Sequence, residues 1–176
     1  MTSPRDFVAS ETLRNGLAVT IRALRAEDRE KVAAAIRQLD RESIYTRLFS
    51  YRNLLTDAAL DRIMRFDPDS EVVLIATLGS GPDEIVIGSG RYIVGADEDG
   101  KRSAEIAFMV EEDYHGLGIA GRLLKHLAAI GRAQGIVSFD ATVLAENKAM
   151  VAVFARSGMP MRKRIEGGEI CVTLQL

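Results

Sequence analysis

Residues 114–128 read YHGLGIAGRLLKHLA, and Gly116, Gly118 and Gly121 within them spell G-x-G-x-x-G. An apolar stripe of Leu123, Leu127 and Ile130, flanked by Ala120 and Leu124, follows at helical spacing. Three readings of this stretch compete. A dinucleotide fingerprint needs a strand running straight into the first glycine and an acidic residue closing the next strand. Here EEDYH separates Val110 from Gly116, and Asp140 is followed by ATVL, which puts it inside its strand. Too little chain follows for further βαβ units. The second reading is a helix N-terminus that holds a phosphate. Unpaired N–H groups and a partial positive charge sit there, and glycines let the backbone come close. Leu117 to Arg122 would form its first turn, with Arg122 adding positive charge. The third reading is a plain tight turn from strand to helix. The loop by itself leaves the second and third open.

The pattern around the loop fixes a fold class. LAVTIRAL (17–24) reads as a strand and AEDREKVAAAIRQLD (26–40) as a helix, with Val32, Ile36 and Leu39 on one face. RESIYTRLF (41–49) reads as a short helical piece, and TDAALDRIMRF (56–66) as a helix capped by Thr56. The period then changes from helical to alternating. EVVLIATL (71–78), IVIGSGRYIV (85–94) and SAEIAFMV (103–110) read as strands joined by GSGPDE and ADEDGK turns. After the helix at 118–134 come a strand at 136–144, a helix at 147–157 and a hairpin around Gly167 and Gly168. The predicted order is β-α-α-β-β-β-α-β-α-β-β, an α/β fold with a mixed sheet and helices on its faces.

Composition narrows the function. The chain has 176 residues, 23 basic and 25 acidic side chains and a formal charge of −2. That length fits one domain, 1–176, with 1–14 as a loosely ordered lead-in. The charge balance gives no footprint for nucleic acid and no polybasic membrane anchor. The longest apolar run, VVLIA at 72–76, is far short of a bilayer span. The single Cys171 and two histidines give no disulfide and no metal-ligand spacing. The cytoplasm is the expected location, and a monomer or homodimer the expected state. His126 falls on the polar side of its helix and is expected to be solvated.

Residues flanking the loop carry a resemblance. His115-Gly116-Leu117-Gly118-Ile119-Ala120 is similar to the R/Q-x-x-G-x-G/A signature of the GNAT superfamily of acyl-CoA-dependent N-acyltransferases, with His115 in place of Gln or Arg. AENKAMVAVFARSGM (145–159) resembles the family's Asn-led helix ending in Gly-Phe, with Met159 for Phe. RALRAEDREKV, ESIYTRLFS, AEIAFMVEEDYHGLGIAGRLL and LAENKAM together resemble the catalytic domain of bacterial protein lysine acetyltransferases.

The resemblance implies the GNAT fold and acetyl-CoA as cosubstrate. Backbone N–H groups of His115, Gly116, Leu117, Gly118, Ile119, Ala120 and Gly121, with Arg122, would hold the CoA pyrophosphate. Phe108, Met109 and Val110 would pair their backbone with the pantetheine amides, between strands 103–110 and 137–144 splayed apart. Asn147 would hydrogen-bond that arm, although Asn is also a favoured N-cap. Glu105 would be the general base, in an otherwise apolar strand on the same face as Ala107 and Met109, a setting expected to be desolvated, which raises a carboxylate's pKa, although a charge on a strand can also simply face solvent. A backbone N–H near Val110 would polarise the thioester. Many family members carry a Tyr seven residues after the Asn as thiolate acid. Here that residue is Phe154, which has no proton to give and would pack on the pantetheine. Tyr114 and Ser157 lie near in sequence but not at the motif position. The implied reaction is direct attack by a primary amine, a protein lysine first. A small-molecule amine acceptor and a non-catalytic CoA-binding sensor are the alternatives. The helices before the sheet, with Arg41, Tyr45, Arg47, Phe49, Tyr51 and Arg52, would line the acceptor groove.

Overall fold

The computed structural model describes residues 3–38 and 56–176. The helical piece expected at 41–49, and the six groove residues named with it, lie outside the described residues. Eight strands form one mixed sheet in the order β1-β2-β3-β4-β5-β6-β8-β7. Their spans are β1 Val8–Thr12, β2 Ala18–Ala23, β3 Glu71–Leu78, β4 Ile85–Ala96, β5 Arg102–Val110, β6 Ser138–Leu144, β7 Met161–Glu166 and β8 Glu169–Gln175. The described helices are α1 Arg29–Arg37, α2 Asp57–Met64, α3 Ile119–Ala133 and α4 Lys148–Ala155. Among the described residues no helix is long and apolar enough to cross a membrane.

The seven expected strands are present. The eighth, β1, is the departure. Residues 8–12 are not a loose lead-in but an edge strand, paired antiparallel with β2 from Val8↔Arg22 to Thr12↔Ala18. Its VASET sequence lacks a strong apolar alternation, because an edge strand contributes little to the core.

Side-chain alternation sorts the sheet into two faces. Leu74, Tyr92, Ile106, Phe108 and Phe139 meet Leu123, Leu124 and Leu127 of α3 and Phe154 of α4 in the larger core. Val73, Ile75 and Val86 meet Val32, Ile36 and Leu60 of α1 and α2 in a smaller core on the opposite face. Gly90 on β4 lets α3 approach closely. A Cβ there would stand 3.0 Å from Leu127 Cδ1 and from the Phe108 ring. Behind it, the buried Tyr92 hydroxyl donates to Gln134 Oε1 at 2.5 Å, and burial pushes its pKa up to about 12.

Two irregularities shape the C-terminal end of β5. On one side, Ala76 pairs with Gly88 and Thr77 with Val86, so Ile87 is an extra residue bulged out of β4. On the other, the parallel pairing of β5 with β6 covers only Ser103↔Ser138, Ala104↔Phe139 and Glu105↔Asp140. Beyond Glu105 the two strands part, which is the splayed pair expected from the sequence. β6 keeps its ladder with β8 through Leu144↔Glu169.

Candidate active site

The splay leaves one edge of β5 facing an open slot, and backbone parity says which groups face it. Arg102 O accepts from Val137 N on the β6 side, whereas Glu111 N donates to Ile87 O on the β4 side. Successive residues of a strand direct their N–H and C=O to opposite sides. The backbone of Phe108 and Val110 therefore faces the slot, and that of Met109 faces β4. Of the three residues expected to offer their backbone to a cofactor arm, Met109 is turned the wrong way. Its side chain instead lines a groove on the far face of β5.

A cavity of about 520 Å³ opens at the mouth of the slot. It brings together Phe108, Val110, His115, Gly116, Gly118, Ile119, Ala120, Gly121 and Arg122 with residues of α4 and its C-terminal end, among them Met150, Val153, Arg156 and Ser157. Gly116 and Gly118 adopt φ of 77° and 89°, the left-handed region that favours glycine. Gly118 is the residue before α3 and has no side chain to cap it. The first-turn N–H groups of α3 consequently lack intrahelical acceptors. Gly121 is different. Its φ is not positive and a Cβ there would meet nothing within 4 Å, so it is an ordinary helical position.

The lining is cationic. Arg14, Arg122, Lys125, Arg132 and Arg156 contribute to it, and no carboxylate lines it among the described residues. A cradle of left-handed glycines, a helix start and several cations suits a phosphate-bearing ligand. Arg14, Lys125, Arg132 and Arg156 were not singled out from the sequence, because nothing local marks them. Their convergence depends on how α3, α4 and the β1–β2 turn pack.

Several expected roles change. His115 does not aim at the loop's anion position. Its Nε2 lies 2.8 Å from Val110 O, and since a carbonyl only accepts, that nitrogen carries the hydrogen. Arg122 spends its guanidinium on the protein, with Nη1 on Gly118 O at 3.1 Å and Nη2 on Thr12 O at 2.6 Å. The Leu117 side chain is half-buried and outside the cavity lining, so its backbone alone remains for the expected role. His126 is not solvated. Its Nε2 is 2.7 Å from Glu11 Oε1 and its ring lies 5.2 Å from that of Phe7. Burial alone would raise the Glu11 carboxyl, but hydrogen bonds from His126 and Lys125 outweigh it and hold the pKa low.

Asn147 is buried and caps α4, its Oδ1 accepting from Met150 N at 3.3 Å. Phe154 is 1% exposed and packs on Phe108 with ring centroids 6.2 Å apart. Neither lines the cavity. Ser157 does, but its Oγ donates to Phe154 O at 2.7 Å.

Glu105 is exposed, not desolvated. Its apolar neighbours Ala104 and Ile106 point to the other face, into the core. It stands on the face shared with Ala107 and Met109, at the last paired rung before the splay and across from Asp140. Asp140 accepts from Thr173 Oγ1 at 2.7 Å. On that face a groove of about 240 Å³ lies between β5 and α1–α2, lined by Ile36, Ile63, Ala107 and Met109 among others. Phe108 lines both the cavity and the groove.

Known proteins share this fold. The GNAT domain of the S. lividans PAT protein superposes with a TM-score of 0.84 at 31% identity, covering 96% of this chain and 97% of that one. An acetyltransferase of Pseudomonas aeruginosa is 29% identical over 140 residues, 80% of this chain and 74% of that protein. Acetyltransferase Pat of Mycolicibacterium smegmatis is 30% identical over 147 residues, 83% of this chain but only 42% of that longer protein. The model of the acetyltransferase (GNAT) family matches residues 33–159, from α1 through the slot and the glycine loop to the end of α4. The match covers well over half of the chain, and the chain belongs to the acetyltransferase (GNAT) family.

Proposed function

We propose that this acetyltransferase moves an acetyl group from acetyl-CoA to a primary amine, a protein lysine, by direct attack. The observation that supports this best is the meeting of two compartments at Phe108. A ligand with a pyrophosphate at the glycine loop would thread its arm into the slot. The slot-facing backbone of Phe108 and Val110 would pair with the arm's amides, and Asn147 would hydrogen-bond it. An acceptor entering by the groove on the other face would reach the same end of β5. The apolar groove suits the methylene stem of a lysine, and Glu105 with Asp140, on the same face of the sheet but outside the groove's lining, would supply negative charge for its ammonium.

Glu105 is the base in this reading. It takes the ammonium proton so that the free amine attacks the thioester carbonyl, which a backbone N–H near Val110 polarises. As the C–N bond forms and the C–S bond breaks, the nitrogen releases its second proton to water and the thiolate takes a proton from water, since Phe154 offers none. The lysine acceptor draws support from the resemblance to bacterial protein lysine acetyltransferases carried by the sequence motifs, and the chain is similar to the proteins named PAT and Pat, the latter covered over less than half its length.

Thiol release from acetyl-CoA, measured with a lysine peptide and with small amines, tests the reading. Wild type should turn over the peptide, and Glu105→Gln should lose about 10²–10⁴-fold in kcat while still gaining thermal stability from CoA. Release by neither protein with any amine, despite CoA binding, would favour the sensor alternative. Release with small amines alone would exclude the lysine.

A further inference from the structure

We propose that Glu11, on the N-terminal edge strand, is a positioning residue for the glycine loop, acting through Arg122 and alongside Arg14. This rests on the reading above that the loop holds the CoA pyrophosphate.

Three consecutive loop carbonyls are engaged by one group of residues. Arg14 Nη1 donates to Gly116 O at 3.4 Å, Arg14 N donates to Leu117 O at 3.3 Å, and Arg122 Nη1 donates to Gly118 O at 3.1 Å. Among the described residues all peptide bonds are trans. In a trans peptide the carbonyl and the next residue's N–H point in opposite directions. Fixing the carbonyls of Gly116, Leu117 and Gly118 therefore fixes the N–H groups of Leu117, Gly118 and Ile119 on the reverse side. Those are the donors a pyrophosphate would use. A loop of left-handed glycines has many alternative conformations, and this set of bonds selects one.

Arg122 can do this only while it is held. Nη2 reaches back to Thr12 O at 2.6 Å, which ties it to β1. Its Nε is buried without a hydrogen bond and faces Glu11 Oε2 at 3.5 Å, an ion pair without hydrogen-bond geometry. The same carboxylate takes Lys125 Nζ at 3.3 Å and His126 Nε2 at 2.7 Å through Oε1. One carboxylate on β1 thus faces three basic side chains of α3. Without it, Arg122 loses its counter-ion beside Lys125 and is free to turn toward the cavity.

The test compares wild type, Glu11→Gln, Arg14→Ala and Arg5→Ala. Arg5 is the control, since it pairs with Asp69 on the exposed surface, away from the loop. Amide hydrogen exchange of peptides spanning 115–122 in the ligand-free proteins reads the clamp itself. Calorimetric CoA binding and steady-state kinetics read its consequence. Glu11→Gln should speed exchange there and raise both the CoA Kd and the KM for acetyl-CoA on the order of ten-fold, with kcat within about two-fold. Arg14→Ala, at an exposed position, should shift exchange in the same direction without threatening the fold, and Arg5→Ala should match wild type. Unchanged exchange in both Glu11→Gln and Arg14→Ala overturns the proposal, as does tighter CoA binding or a loss confined to kcat. Failure of wild type to bind CoA overturns the reading of the loop as a pyrophosphate site, and the exchange arm still decides the clamp.

Discussion

Two glycines in the same motif should answer to alanine in opposite ways. Gly118 has φ of 89°, and a Cβ there would stand 2.4 Å from Arg122 Nη1. A left-handed non-glycine residue costs about 1–2 kcal/mol, and the guanidinium must also leave the Gly118 carbonyl it holds. Gly118→Ala should lower the melting temperature and weaken CoA binding more than ten-fold by calorimetry. Gly121 sits in α3 at ordinary helical φ with open space around its Cα. Gly121→Ala should raise the stability of the ligand-free protein by about 0.5–1 kcal/mol, as helix propensity requires. A motif match cannot distinguish the two positions, because it records spacing and not conformation. Glu105 shows the same limit. Ala107 and Met109 on its own face are apolar, but the cover over that face comes from elements distant in sequence, and only that cover decides its exposure.

At the scale of elements, α3, β4 and β5 meet at Gly90, Leu127 and Phe108. Gly90→Ala would overpack that junction and should cost about 1–3 kcal/mol, since Leu127 Cδ1 and the Phe108 ring both stand 3.0 Å from the new Cβ. Leu127→Ala, at a position with 0% exposure, should cost about 2–5 kcal/mol. Urea unfolding of the double variant should show less than the summed loss, because each change makes room for the other. Additive losses would mean the junction relaxes elsewhere. These elements were legible in the sequence because their periods are strong. The 3-4 spacing of α3 and the apolar runs at 71–78 and 103–110 place both helix and strands within one or two residues. The strand at Val8–Thr12 was not legible, since its partner β2 supplies the apolar side of the pair. The contact of His126 with Phe7 and Glu11 was hidden for the same reason. A helical wheel identifies a polar face but not the strand that covers it, here more than a hundred residues away in sequence.

The whole molecule is held by a charge network remote from the slot, and acid should release it. Arg22 on β2 makes a two-pronged pair with Asp28 before α1 at 2.7 and 2.8 Å and reaches Glu84 before β4 at 2.8 Å. Lys31 of α1 and Thr77 of β3 also donate to Glu84, each at 2.9 Å. The network joins the start of α1, β2, β3 and the β3–β4 turn, and so secures the helix that roofs the proposed acceptor groove. The Arg22 guanidinium, helped by Lys31 and Thr77 against the effect of burial, holds the Glu84 carboxyl down at about 2. Its ordinary value is 4.5. A carboxyl whose folded pKa lies below its unfolded one contributes stability that is complete above the unfolded value and is lost as pH falls through the folded one. Glu84→Gln should therefore be less stable than wild type at pH 7 by about 1–3 kcal/mol, the cost of removing one hydrogen-bonded charge partner. That gap should narrow steadily as the pH falls from 4.5 toward 2. Asp28, also held low by Arg22 and the Arg25 N–H against its burial, remains in the variant and leaves it a residual acid sensitivity of the same sign. Urea unfolding at pH 7, 4.5 and 3 reads the difference directly. A gap that stays constant across those values would show that Glu84 stabilises the fold by packing and not by its charge.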